Sequence, residues 1–454
     1  MGGRLRDPRT ALGVALALGL AVRLLRVVEW PLIHPDGPAY LALARSLLDG
    51  EWSAVLGGYY SPLYPITIAP LVAVGLPAEL AARLVASIAG VLALPLLFHV
   101  ARRIGGDTVG AATVLVAALH PALVKAAAQV QPETLAGLCL LAWGAVLMEA
   151  RDLRRAAVAG MFAAAAYLAR PEGIFLVVIG IAWLGWRRRP VALAVYVLAA
   201  VVLMAPAVLA LHERTGTWQI SRREAALTVR AGLADQPTLA AAVREHPGAM
   251  LGHWTTGVAR QAWNTAVAIG PVLALPFFAG LYTMRAAWPL AVAAAFVIGP
   301  LALNPSPRYA VPILPLFLPW AGAGILALVD RLGRRGASAC GLVAVVLIVQ
   351  SLWPEKRFDE NCSREVSDLV RTRYGTGQAL VAVDGRFAYL AEGRAIVPKT
   401  TRADTALTLA RTRGARLWLT RPWWLGKTFT VPPDVHEVAR PCSGAFILFE
   451  IDTP

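Results

Sequence analysis

Long apolar runs, interrupted by short clusters of Arg, Pro and Gly, set the pattern of this chain. Several reach the roughly 20 residues that one helical crossing of a bilayer needs. Read from an inside N-terminus, they predict about eleven membrane-spanning helices. The first four cover residues 11–28, 80–100, 109–127 and 133–148. Arg23 and Arg26 stand where a small-residue cleavage site would belong, so the first run reads as a retained span and not as a removed signal. Residues 156–186 lie between Arg151, Arg154 and Arg155 on one end and Arg187, Arg188 and Arg189 on the other. A single crossing would put one Arg cluster outside, so we expect two short helices joined on the outer side by Arg170-Pro171-Glu172-Gly173, where Pro and Gly break the helix. A seventh span covers 191–211, three more lie near 265–284, 286–303 and 309–329, and the last covers 337–353. Outer loops fall at 29–79 and 212–264, and residues 41–48 in the first look like a helix lying along the surface.

Beyond residue 353 the pattern changes to alternating short elements. Residues 365–373 and 403–413 read as helices, and 379–383, 416–420 and 445–451 as strands. The expected fold class is therefore a polytopic α-helical membrane protein, with a membrane domain over 1–353 and a small C-terminal α/β extracytoplasmic domain over 354–454. An odd number of crossings puts that last domain outside. Cys139 and Cys340 fall in spans, whereas Cys362 and Cys442 lie near the start and end of the outer domain. An oxidising location makes those two candidates for a disulfide.

Composition agrees with the pattern: 57% of residues are hydrophobic and 16% charged, with a mean hydropathy of +0.59. A soluble domain carries about a quarter charged residues, so an ordinary cytosolic enzyme is excluded. The net charge of +15 invites a nucleic-acid partner until it is divided by location. Arg102, Arg103, the two clusters around 151–155 and 187–189, Arg285, Arg331, Arg334, Arg335 and the N-terminal Arg residues all fall on one predicted side. With the few acids beside them they hold about +10, as the positive-inside rule expects of cytoplasmic loops. No nucleic-acid groove is needed.

Ionisable residues at membrane depth are functional candidates, and the predicted outer side gathers a set of them. They are His34-Pro35-Asp36-Gly37-Pro38-Ala39-Tyr40, Gln131-Pro132-Glu133-Thr134, Arg170-Pro171-Glu172-Gly173 and Pro305-Ser306-Pro307-Arg308-Tyr309. Two carboxylates and several guanidiniums suit the transfer of a sugar from a phosphate ester to a hydroxyl. A carboxylate takes the incoming hydroxyl's proton, and Arg binds the departing phosphate through paired donors. Simpler roles stand beside these. Asp36 fits a turn or helix cap, Glu133 a favourable first-turn acid, Arg170 and Glu172 a mutual pair, and Arg308 a side chain snorkelling to the surface. Tyr59, Tyr60 and Tyr64 fit an interfacial aromatic belt. Arg222, Arg223 and Arg230 fit either a phosphate clamp or a solvated loop.

Asp36 with Tyr40 and Ala44, the run Tyr60-Ser61-Pro62-Leu63-Tyr64-Pro65, Glu133, and Arg308-Tyr309 followed by Pro312 and Pro315 occur in an order that resembles the GT-C integral-membrane glycosyltransferases. The resemblance is to the bacterial branch related to protein mannosyltransferases and lipid A aminoarabinose transferases. It extends into the tail, where Tyr389-Leu390-Ala391-Glu392-Gly393-Arg394 is similar to a recurring segment. The resemblance implies an inverting transfer from a polyprenyl-phosphate-linked sugar at the outer membrane face. It implies Asp36 as general base, Glu133 at a second acidic position where many relatives carry Asp, and Arg308 near the donor phosphate. Gly37 stands where the family often has a second acid, so a divalent metal is left open.

The expected protein is thus a multi-pass enzyme of the cell inner or plasma membrane, with a cytoplasmic N-terminus. Asp36 and Glu133 are its catalytic candidates and Arg308 and Arg170 its donor-phosphate ligands. His34, Tyr40, Tyr60, Glu172 and Tyr309 are further candidates for the cavity. Its partners would be a polyprenyl-phosphate sugar and a lipid, glycan or protein acceptor. The alternatives are an oligosaccharide ligase using a lipid-linked donor and, from another class, a lipid or solute transporter. Transporters commonly pair broken helices in matching halves, and no second acid motif matches the first here.

Overall fold

The computed structural model describes residues 7–29, 33–233, 236, 238–284, 292, 304–353, 358–398, 402–426 and 429–452. The chain divides into two compact units, one of Met1–Trp30 and Leu43–Trp353, the other of Pro31–Ala42 and Pro354–Pro454.

The first unit is helical. Among the described residues, Pro8–Val28, Ala78–Gly105, Pro190–Thr215, Leu314–Leu332 and Arg334–Leu352 are long and apolar enough to cross a membrane. Two bent pairs bring these 5 spans to 7, namely Asp107–Leu119 with Pro121–Ala128 and Pro247–Ile269 with Pro271–Thr283. Shorter apolar helices are Leu63–Ala73, Glu133–Met148 and Pro171–Trp186. The structure thus shows a multi-pass helical protein, and the figure of eleven spans is finer than these helices establish. The span expected near 286–303 lies outside the described residues apart from Val292.

Several expectations need correction. The run 109–127 is two helices bent by 51° at His120, and the run near 265–284 is broken at Gly270 with a bend of 104°. The breaks meet: the His120 ring accepts a hydrogen bond from Ala122 N at 3.3 Å through Nδ1, while Nε2 lies 3.3 Å from the Ile269 carbonyl. Pro121 and Pro271 each open the following helix, where a missing N–H costs nothing. The run 309–329 starts as 3-10 turns at Pro307–Ala310 and Leu314–Leu316, and its α-helix is Leu318–Leu332. The segment 29–79 is not an open loop: it contains helices Gly37–Leu48, Trp52–Leu56 and Leu63–Ala73. The segment 212–264 likewise holds Glu224–Arg230, Leu239–Glu245 and most of Pro247–Ile269. By contrast, Glu133–Met148 has the predicted ends, and the chain breaks at Arg170 between Leu153–Ala169 and Pro171–Gly173.

Small residues let these helices touch. A Cβ at Gly280 would overlap the Trp320 carbonyl, and one at Gly324 the Pro276 carbonyl, so the helices meet backbone to backbone. The buried Tyr196 hydroxyl accepts from Trp143 Nε1 at 3.1 Å and donates to the Leu176 carbonyl at 2.7 Å, which satisfies a polar group in the core.

Charge marks the two ends of this unit. At one, Arg103 and His99 pair with Glu149, Arg155 donates to the Glu149 carbonyl and Arg189 to the Ala150 carbonyl. Three Arg-rich connections therefore meet there. Glu133 starts the helix that ends at Met148, which at about 1.5 Å per residue puts it about 24 Å away. At that far end Arg23 donates to the Ala118 carbonyl, Arg26 to the carbonyls of Leu352 and Trp353, and Arg83 to that of Val27. Cations there meet the negative ends of three helices.

The second unit carries a five-stranded sheet in the order β2-β1-β3-β5-β4. The strands are β1 (Ala379–Val381), β2 (Arg394–Ile396), β3 (Leu417–Thr420), β4 (Val435–Ala439) and β5 (Ile447–Ile451). The first pairs parallel with β2 and β3, and the antiparallel pairs are β3/β5 and β4/β5. One face packs on Phe358–Tyr374 and Arg386–Leu390 through Val366, Val370 and Phe387, the other on Ala403–Thr412 through Ala406 and Leu407. Alternation misses β2 and β4, which are short or largely exposed. Cys362 and Cys442 form a disulfide, and Cys139 and Cys340 are free. Within this unit Pro38 lies against Gly385.

Candidate functional site

Pro132 and Pro171 end the preceding geometry and start new helical segments, so Glu133 and Glu172 each stand in a first turn. Arg170 is the extended residue between two helices, and its side chain turns inward, 5% exposed. It is held by two carboxylates. Nε donates to Glu172 Oε2 at 3.2 Å and Nη2 to Glu172 Oε1 at 3.1 Å, while Nη1 donates to Glu133 Oε1. The paired fork satisfies a guanidinium in a place where water cannot. Glu133 is 1% exposed and also faces Arg308, whose Nε lies 3.9 Å from the same Oε1. Arg308 keeps 29% of its side chain exposed.

The Tyr309 ring separates the two cations, with Arg170 Cζ 4.3 Å and Arg308 Cζ 5.1 Å from its centroid. Its hydroxyl accepts from Asn304 Nδ2 at 3.0 Å and is 3.4 Å from Arg308 Nη2. The turn before Tyr309 is fixed from another helix, because Gln261 Oε1, fully buried, accepts from Ser306 N at 3.0 Å. Arg170, Glu172, Tyr309 and Pro312 line a pocket of about 320 Å³. Beside it, Tyr59, Tyr60, Tyr167 and Ser221 line a second of about 340 Å³. Arg223 stands 5.6 Å and 5.9 Å from the rings of Tyr59 and Tyr60.

Glu133, Arg170, Glu172, Arg308 and Tyr309 therefore converge, from three separate stretches of chain. Tyr60 belongs to the neighbouring aromatic pocket. His34, Asp36 and Tyr40 lie in the segment that clusters with the second unit. There the His34 ring accepts from Asp36 N at 3.2 Å, its Nδ1 is 3.8 Å from Asp36 Oδ2, and Tyr40 is buried. Sequence reading missed Gln261, Asn304 and Arg23. Arg23, fully buried within an apolar run, carried a usable signal, since a charge at that depth is rarely idle. Gln261 and Asn304 carried none. Among the described residues no group of three or more His, Cys, Asp or Glu side chains could hold a metal ion.

Comparison with known proteins bears on what this arrangement serves. The dolichyl-phosphate-mannose-protein mannosyltransferase family matches residues 60–211. Among solved structures, ArnT from Cupriavidus metallidurans bound to undecaprenyl phosphate is similar, with 15% identity and a TM-score of 0.58, over 96% of this chain and 97% of that one. The apo oligosaccharyltransferase of Archaeoglobus fulgidus is similar at 11% identity and a TM-score of 0.57, over 91% of this chain and 69% of that one. A form of that enzyme with zinc and sulfate gives 12% identity and a TM-score of 0.54, over 90% and 68%. No curated protein matches in sequence. The fold is that of the GT-C glycosyltransferases.

Proposed function

We propose, on the premise of this fold, that the chain is an inverting glycosyltransferase using a polyprenyl-phosphate-linked sugar at the outer face of the membrane. The carrying observation is the convergence of Arg170 and Arg308 on Glu133 around the Tyr309 ring. Arg170 is enclosed by Glu133 and Glu172, whereas Arg308 keeps part of its side chain exposed. Arg308 is thus the proposed phosphate ligand, and Arg170 the residue that holds Glu133 and the Tyr309 ring in place. Glu133 then serves as counter-ion, because a carboxylate so enclosed has no route to an acceptor proton. Asp36 is the proposed general base on the strength of its motif. In the step, the acceptor oxygen bonds to the anomeric carbon from the face opposite the phosphate, and Asp36 takes the hydroxyl proton. The anomeric carbon–oxygen bond to phosphate breaks, and polyprenyl phosphate leaves with the bonding pair beside Arg308, which stabilises the charge as it forms.

The solved ArnT binds undecaprenyl phosphate, which supports a polyprenyl phosphate as leaving group. The near-complete mutual coverage with that chain favours this reading over the oligosaccharide-ligase alternative. The Arg-rich end tied to Glu149 supports a cytoplasmic N-terminus; about eleven crossings of an inner or plasma membrane and an extracytoplasmic second unit complete the proposed topology. The acceptor would be a lipid, a glycan or a protein.

The test is transfer from a radiolabelled polyprenyl-phosphate sugar to membrane lipid and glycan extracts by the purified chain in nanodiscs. Asp36→Asn should lower turnover by about 10²–10⁴-fold with unchanged melting. Arg308→Gln should raise the donor KM by about tenfold or more, the loss of one charge-assisted contact, and Arg308→Lys should not restore it fully. Near-normal turnover by Asp36→Asn would remove the base from this scheme. Donor-independent transport of the labelled lipid by the wild-type chain would favour the transporter.

A further inference from the structure

The segment that carries Asp36 belongs to the second unit, which comprises Pro31–Ala42 and Pro354–Pro454. In that unit β1 lies between its parallel neighbours β2 and β3. Helix Arg386–Leu390 connects β1 to β2 on one face of the sheet, and Ala403–Thr412 connects β2 to β3 on the other. The connections therefore diverge at the carboxyl end of β1, the place where open α/β sheets usually take a ligand. Gly385, just beyond that end, meets Pro38: a Cβ on Gly385 would stand 3.7 Å from Pro38 Cβ and 3.8 Å from Ala395 Cβ.

This seat is braced from behind. Asp384 Oδ1 accepts from Arg386 N at 2.9 Å and from Nε at 3.0 Å, and Oδ2 accepts from Nη2 at 2.8 Å, with Arg386 buried. On the other side of the contact, one turn ties Asp36 to Pro38. Asp36 N donates to His34 Nδ1 at 3.2 Å, Gly37 N to the His34 carbonyl at 2.7 Å and Tyr40 N to the Asp36 carbonyl at 3.3 Å. Ile33, Tyr40 and Leu41 are buried on either side, while the Asp36 side chain keeps 24% exposure. A carboxylate presented from an anchored backbone is what a general base needs.

We infer that the second unit is the mount of the proposed general base, and that Gly385 is a positioning residue that sets Asp36 through Pro38. The positioning role rests on Asp36 being the base; the seat itself does not. At the carboxyl end of β1 the unit holds a segment of its own chain. A side chain larger than methyl on Gly385 would push the Pro38 ring, whose fixed φ passes the displacement to the turn that holds Asp36. An error of about 1 Å in a reacting group can cost about 100-fold in rate.

The full chain in nanodiscs serves for both tests. Pro38→Cys with Gly385→Cys places two Cβ atoms 3.7 Å apart, within the roughly 3.5–4.5 Å of a disulfide. Oxidation should close the bond, read by mass spectrometry of the peptides, and the closed chain should keep its turnover. No bond, or a bond that stops transfer until it is reduced, overturns the inference; wild type under the same reductant controls for the Cys362–Cys442 bridge. In the kinetic arm Gly385→Leu should lower kcat by about tenfold or more with the donor KM little changed. Gly385→Ala, whose methyl has room, should retain kcat, and Pro38→Ala added to Gly385→Leu should recover part of the loss. Unchanged kcat in Gly385→Leu, or a loss seen only in KM, ends the positioning role. Where Gly385→Leu fails to fold, seen as fast hydrogen exchange over residues 358–452, the cross-linked pair decides. If the wild-type chain transfers no sugar, the proposed function fails by itself while the bond still decides the seat.

Discussion

Removing the Arg170 charge should cost more than removing Arg170 together with one of its partners. The cluster is formally balanced, with Arg170 and Arg308 against Glu133 and Glu172. Arg170→Gln leaves two carboxylates, both at least nine-tenths buried as residues, without the guanidinium that hydrogen-bonds them both. Breaking a buried ion pair by taking away one partner typically costs about 3–5 kcal/mol, because the remaining charge stays buried. Arg223 interacts electrostatically with Glu172 and offsets part of this, which favours the low end, about 3 kcal/mol. Arg170→Gln with Glu172→Gln removes one of the two carboxylates that the single variant leaves buried without their main partner, so the double variant should be more stable than the single. Such reversed order is the signature of coupled sites and cannot arise from lost packing alone. The assay is thermal unfolding of the purified proteins in one detergent, read by intrinsic fluorescence and by loss of the monodisperse peak. Equal stability of Arg170→Gln and wild type, or a double variant worse than the single, would refute the electrostatic account.

Two further outcomes follow from packing and from charge outside the membrane. Gly324→Leu should lower the melting temperature markedly, because its side chain has no room against the Pro276 carbonyl, while Gly341→Leu, with open space around it, should not. In the second unit the Tyr374 hydroxyl, donating at 2.7 Å, and then Arg416 hold the Glu450 carboxyl below its usual range. A carboxyl with a depressed native pKa stabilises the fold at pH above its unfolded value near 4.3 and loses that contribution as pH falls through the native one. Hydrogen exchange over residues 358–452 should therefore quicken below about pH 4, and Glu450→Gln should flatten that dependence. A variant with the same acid response as wild type would disprove the assignment to Glu450.

What the sequence revealed and what it concealed divide along one line, whether the cause is local. Proline after an apolar run acts on its own backbone, so the breaks before Glu133 and at Arg170 were legible. The bends at His120 and Gly270 lie inside nearly continuous apolar runs. There the His120 ring lies within hydrogen-bonding distance of a carbonyl at the other break, a partner that no local window contains. The same holds for the site. Charged residues at the ends of apolar runs identified Glu133, Arg170, Glu172 and Arg308 as a set. Chain order did not reveal that Arg170 would be closed off by two carboxylates and Arg308 left partly exposed, because that depends on which carboxylate reaches which fork in three dimensions.

That inequality has a chemical logic in the proposed reaction. A lipid phosphate must bind well enough to be oriented and weakly enough to leave once it carries the bonding pair. An unpaired buried Arg would hold it too tightly and would itself be costly to bury, and an Arg enclosed like Arg170, with its charge already met by two carboxylates, has little attraction left to give. Arg308 lies between these limits. At about 4 Å in an effective dielectric near 20, its attraction to Glu133 is about 4 kcal/mol before solvent screening, and its exposure reduces that further. An arriving phosphate can therefore draw Arg308 away without leaving Glu133 unpaired, since Arg170 keeps hold of the same carboxylate. When the phosphate departs, Glu133 is still in place to receive Arg308 again. The fixed Arg170–Glu133–Glu172 group carries one net negative charge that Arg308 balances at rest, and while Arg308 exchanges onto the phosphate both carboxylates keep their contact with Arg170.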